Sequence, residues 1–105
     1  MNLKEIQERF YDFLNERNWL DFSPNDVLLH LYEELSEIGD FLLFSSKYKT
    51  DVGHNRPDKE DLPREFAQAF SLFLQLCIYM EVDLEEAWKN EIIKMEERFP
   101  IDKQK

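Results

Sequence analysis

The segment Leu31-Tyr32-Glu33-Glu34-Leu35-Ser36-Glu37-Ile38-Gly39-Asp40-Phe41-Leu42-Leu43-Phe44 carries an apolar repeat and an acidic one on the same length of chain. Leu28, Leu31, Leu35, Ile38 and Leu42 recur three or four residues apart, the spacing of a helix that buries one stripe. Glu33, Glu34, Glu37 and Asp40 fall between them. Three residues advance about 300° around a helix, so Glu34, Glu37 and Asp40 climb its surface as a slowly turning ridge. On an ordinary surface helix, Lys or Arg four residues away relieves such repulsion, yet none occurs from Val27 to Ser46. The acids are therefore paired with residues elsewhere, exposed to water, or neutralised by a metal ion; a solvated acidic face weighs as much as a metal site at this point.

Outward from this stretch, helical signals continue in both directions. Leu3, Ile6, Phe10, Phe13 and Leu14 share a face and predict a first helix over about 3–15. A connector with Trp19 and Phe22 follows, whose aromatics either plug the end of a bundle or stack on a planar ligand. Ser23-Pro24-Asn25-Asp26 reads as a hydroxyl N-cap followed by proline at the first helical position, opening a second helix over about 24–46. Gly39 inside that helix points to a close helix crossing. His30, one turn before Glu34, either reaches the acidic ridge or serves as a hydrogen-bonded structural histidine.

Lys47 to Leu62 has no usable period and reads as a loop, with Lys47, Lys49, His54, Arg56 and Lys59 as either solvated or phosphate-facing cations. A third helix over about 61–80 is apolar on most sides, through Phe66, Phe70, Phe73, Leu74, Cys77 and Ile78 on one face and Leu72, Leu76 and Tyr79 beside it. Such a helix is central in a bundle or packed at a subunit interface. Asp83-Leu84-Glu85-Glu86 reads as a capping box opening a fourth helix over about 84–98, before the Phe99-Pro100 stop; residues 101–105 should fray. The expected architecture is all-α, a four-helix bundle in a single domain over residues 1–105.

Composition narrows the function classes. Hydrophobic residues are 43% and charged residues 34% of the chain, with two glycines and four prolines, a helix-leaning globular balance. The net charge of −10 argues against a polymeric nucleic acid or an anionic membrane as partner. One cysteine, Cys77, excludes an internal disulfide framework and a cysteine-rich metal site. The N-terminal residues carry acids where an export signal needs an apolar core, and the apolar run from Phe66 to Met80 is shorter than the roughly 20 residues that span a bilayer. A cytoplasmic protein is expected. A carboxylate-bridged di-iron bundle is set aside, because neither His30 nor His54 has Glu three residues before it.

The order of Glu33-Glu34-Leu35-Ser36-Glu37 and Glu65-Phe66-Ala67-Gln68, with Arg17-Asn18-Trp19-Leu20-Asp21-Phe22 before them and Arg98-Phe99-Pro100 after, resembles the MazG-like all-α nucleoside triphosphate pyrophosphohydrolases, especially small members similar to dCTP pyrophosphatase. The likeness spans about Phe13 to Pro100. It implies a helical homodimer or higher homo-oligomer that binds Mg²⁺, or Mn²⁺, and cleaves an NTP or dNTP to the monophosphate and pyrophosphate. By resemblance Glu34, Glu37 and Glu65 hold the metal, Glu33 is a further ligand or a base that orients water, and Glu33 and Glu37 are the catalytic residues. Trp19, Phe22 and Phe44 are candidates for a base pocket; the family's phosphate-meeting Lys and Asn align with Glu91 and Met95, and Lys89, Lys94 and Arg98 stand nearby as substitutes that could meet phosphates. Gln68 stands where the family's second motif has a metal-binding Asp, and Glu91 where it often has Lys. An amide holds a hard cation less firmly than a carboxylate. A second reading follows: a member that keeps the scaffold, has lost hydrolysis, and acts as a nucleotide-binding or oligomeric interaction module.

Overall fold

The computed structural model describes residues 1–46 and 59–104. They form α1 (Leu3–Glu16), α2 (Pro24–Ser45), a 3₁₀ turn (Lys59–Asp61), α3 (Leu62–Tyr79), α4 (Leu84–Arg98) and the single-turn α5 (Ile101–Gln104). No strand occurs among the described residues, and the fold is the expected all-α, four-helix bundle-like one. The helix bounds follow the sequence signals to within a residue or so. Two ends differ: Ile101–Gln104 is helical where fraying was expected, and the loop's last residues, Lys59–Asp61, form the turn that leads into α3. The rest of that loop, with Lys47, Lys49, His54 and Arg56, lies outside the described residues.

Local chemistry explains the ends. Asn2 caps α1 reciprocally: its side chain accepts from the Glu5 amide at 2.8 Å while its own amide donates to Glu5 Oε1 at 3.5 Å. Asp83 accepts from the Glu86 amide at 3.2 Å and opens α4 as expected. At α2 the expectation fails in part, for Ser23 is the N-cap residue but its hydroxyl makes no capping hydrogen bond, leaving Pro24 to set the helix direction. Gly39 marks no close crossing: no atom among the described residues lies within 4 Å of where a Cβ would sit.

Helices α1 and α3 both end in the same turn. The Trp19 amide donates to the Leu14 carbonyl at 2.9 Å and the Asn18 amide to Asn15 at 3.2 Å; Val82 donates to Cys77 at 2.8 Å and Glu81 to Ile78 at 3.2 Å. These are Schellman closures, which need a left-handed residue just beyond the helix, here Asn18 at φ 59° and Glu81 at φ 57°. Asn tolerates that conformation; Glu does so at a cost of about 1 kcal/mol. Glu81→Gly should therefore stabilise the fold by about 1 kcal/mol, read as a rise of a few degrees in melting temperature.

The α2–α3 pair is the most extensive helix contact, and α1 packs across α3. The buried core is small: Leu14, Val27, Leu31, Ala69, Leu74 and Cys77. Helix α4 contributes no buried residue, and its main packing partner is α1. The junction is held by Gln7, whose amide donates to the Val82 carbonyl at 2.8 Å and accepts from the Leu84 amide at 3.2 Å. The radius of gyration is 17.5 Å, against roughly 13 Å for a compact chain of this length.

The openness leaves apolar faces uncovered. Leu35 and Leu42, expected in the buried stripe of α2, are 47% and 60% exposed, and Phe66, Phe70 and Phe73 of α3 are 58%, 41% and 44% exposed. Trp88, Ile93 and Met95 of α4 are exposed as well. No described helix is long and apolar enough to cross a membrane.

Candidate metal centre

Because α2 and α3 pack together, carboxylates one turn apart on α2 meet one at the start of α3. Glu34, Glu37 and Glu65 each offer an oxygen within 4.8 Å of the others. Oxygens bound to one cation lie at most roughly 4 Å apart around Mg²⁺ and roughly 5 Å around Ca²⁺, so the trio is within a side-chain rotation of sharing an ion. The buried Oε2 atoms of Glu34 and Glu65 have no hydrogen-bond partner among the described residues. A buried carboxylate oxygen without a partner is costly, and a cation between the helices would satisfy both. The donor set, oxygen only and anionic, fits a hard divalent ion.

Crowding of like charges shows in Glu37. Its carboxyl is pushed up from 4.5 to about 7, first by the hydrogen bond it shares with Glu65, then by desolvation and by the charges of Glu34 and Glu65, with Arg64 opposing. A carboxyl with raised folded-state proton affinity stabilises the fold below its unfolded value and loses that contribution as pH rises through the folded value. The metal-free protein should therefore lose stability between about pH 4.5 and about pH 7. Melting scans in chelator should show that decline, and Mg²⁺ or Glu37→Gln should flatten it.

Next to the trio lies a cavity of about 750 Å³, in the range of small-molecule sites. Glu34 lines it as well as belonging to the carboxylate group. Its aromatic wall is a chain of rings: Phe10 stacks on Phe13 with centroids 5.5 Å apart, Phe13 meets Trp19 edge-on at 5.9 Å, and Phe22 tilts against Trp19 at 6.4 Å. The Arg17 guanidinium carbon sits 3.8 Å from the Phe13 ring centroid. The Schellman turn after α1 aims Trp19 here, and the Tyr79 hydroxyl ties the segment down by donating to the Trp19 carbonyl. Trp19 and Phe22 remain 42% and 52% exposed, leaving ring faces for a ligand.

The cavity also has a polar line along α3. Arg64, Gln68, Ser71 and Gln75 all line the cavity, at spacings of four, three and four residues. An α3 apolar on most sides gives no expectation of this line, whose signal is the helical spacing of four polar residues amid apolar neighbours. Gln68 thus lines the cavity. His30 lines the cavity too, and its Nε2 lies 3.5 Å from Glu34 Oε1.

The other residues implied by resemblance are not gathered here within one chain. Glu33 is exposed and outside the carboxylate group, and Phe44 is not among the cavity residues. Lys94 and Arg98 are exposed on α4, with the Arg98 guanidinium over Phe99 at 4.9 Å. Since α4 packs chiefly on α1, both cations lie on an element set apart from the α2–α3 site. No family model, curated protein or solved structure matches the chain.

Proposed function

We propose that this protein is a divalent-cation-dependent nucleoside triphosphate pyrophosphohydrolase, working as a homodimer or higher homo-oligomer. The observation that carries the reading is the junction of an oxygen-only carboxylate trio with an aromatic cavity through one residue, Glu34. A cation site beside a stacking cavity accommodates both ends of a nucleotide: phosphates at the carboxylates and a base against the wall of Trp19 and Phe22. The motif order of the sequence points to the same chemistry.

Mg²⁺ or Mn²⁺ bound by Glu34, Glu37 and Glu65 would offset phosphate charge and lower the pKa of a coordinated water. Water adds across the α–β phosphoanhydride, giving the nucleoside monophosphate and pyrophosphate. Glu37, in contact with both the ion and its coordinated water, would orient that water for attack. Arg64, beside the trio and on the cavity wall, meets the phosphates from within the same chain. Lys94 and Arg98 can contribute only through α4, and the uncovered faces of α2, α3 and α4 support a second copy as the body that completes the site. A cytoplasmic setting, rich in nucleotides and Mg²⁺, suits the reaction.

A panel of NTPs and dNTPs with Mg²⁺ or Mn²⁺, scored for pyrophosphate, tests the proposal. Release from at least one substrate is expected; none from any would overturn hydrolysis. One observation favours the second reading, a nucleotide-binding module without hydrolysis: Gln68 lines the cavity and supplies no carboxylate to the trio. That reading requires cation and nucleotide binding without pyrophosphate, and a gain of turnover on Gln68→Asp.

A further inference from the structure

Gln75 is 7% exposed, the one buried polar side chain in the core among the described residues, and it lines the cavity. Its amide is oriented by a short relay. The Trp19 carbonyl can only accept, so the Tyr79 hydroxyl that meets it must donate its single proton there. The Tyr79 oxygen is then left as an acceptor toward Gln75. The side-chain group 2.8 Å away must accordingly be the Gln75 NH₂, since the amide oxygen has no proton to give. With the NH₂ end committed to Tyr79, the end of Gln75 left to take up a ligand is its acceptor oxygen.

We infer that Gln75 is a specificity residue of the cavity, its oxygen held by the Tyr79–Trp19 relay to accept from an N–H of a planar nitrogen heterocycle, so that a base presenting a donor at that edge is preferred over one that lacks it. The inference rests on the nucleotide reading above and names the substrate class for it. Placement agrees with that role. Gln75 lies ten residues beyond Glu65 on α3, about 15 Å of helical rise, a length comparable to a nucleoside triphosphate from its phosphates to the far edge of its base. Trp19 belongs to both the stacking wall and the relay, so the group that holds the ring face also fixes the edge acceptor. A buried acceptor rejects a ligand that brings no donor, because the oxygen is then desolvated without a hydrogen bond.

Calorimetric binding of 5′-monophosphates in Mg²⁺ tests this without turnover. The probes are cytidine monophosphate against its 4-desamino analogue, and adenosine monophosphate against purine riboside monophosphate. In the series that binds, the amino-bearing nucleotide should bind about tenfold or more tightly than its desamino partner. Gln75→Met should erase that ratio by weakening the amino-bearing ligand alone. Tyr79→Phe, which frees the amide to turn over, should narrow the ratio. Equal binding of each pair by the unaltered protein, or an unchanged ratio in a folded Gln75→Met variant, overturns the inference and leaves the nucleotide reading standing. If neither these monophosphates nor a non-hydrolysable triphosphate binds, the nucleotide reading falls and the inference with it.

Discussion

Glu65→Gln should lower pyrophosphate release by roughly 10²- to 10⁴-fold, the loss that follows when several kcal/mol of metal-borne charge stabilisation is withdrawn. The same variant should melt at least as high as the parent in chelator. Glu65 holds a buried Oε2 with no partner among the described residues and adds its charge to Glu37, so a neutral amide relieves both. In Mg²⁺ the order should reverse, because the parent gains stability from an ion that binds only its folded form and the variant gains little. Opposite signs in the two conditions separate a ligand from a packing residue. A variant that melts lower in chelator and keeps its response to Mg²⁺ would place Glu65 among structural groups instead.

The second large effect concerns association. Phe66, Phe70 and Phe73 stand uncovered on one helix, α4 buries nothing, and the core consists of a handful of side chains. Sedimentation should find a dimer or a higher assembly, with a melting temperature that rises with protein concentration. Phe70→Asp should weaken the assembly strongly. Removing one buried Phe per copy costs about 1.5–3 kcal/mol in each, so a dimer loses roughly 10²- to 10⁴-fold in affinity. A monomer at every concentration, melting at one temperature with or without Phe70→Asp, would contradict this.

The helices were legible because their punctuation is local. Pro24, Asp83 and the 3.6-residue apolar period act within a turn or two of where they stand. What covers an apolar stripe is not local, and the sequence carries no sign of it. Leu35 and Leu42 keep perfect helical spacing with Leu31, yet only Leu31 is buried, because α3 covers one part of the stripe and leaves the rest open. Gly39 likewise carries no crossing, and the Ser23 hydroxyl no cap, since each residue type permits those features without requiring them.

At the site, Glu34, Glu37 and Glu65 could be grouped in advance because a one-turn spacing and one helix pairing suffice to bring them together. The direction of α4 could not be foreseen: it depends on the left-handed turn at Glu81, for which a glutamate gives no signal, and Lys94 and Arg98 travel with it. The polar line through Gln68 and Gln75 was hidden by the apolar majority of α3.

The central claim is that carboxylates from α2 and α3 converge on one divalent ion. Crystals grown with Mn²⁺ and measured at its absorption edge test it most directly. The account predicts a single strong anomalous peak per chain, about 2.0–2.3 Å from oxygens of Glu34, Glu37 and Glu65. Data of comparable quality with no peak among these three carboxylates, or with Mn²⁺ bound only elsewhere on the acidic surface, would contradict it.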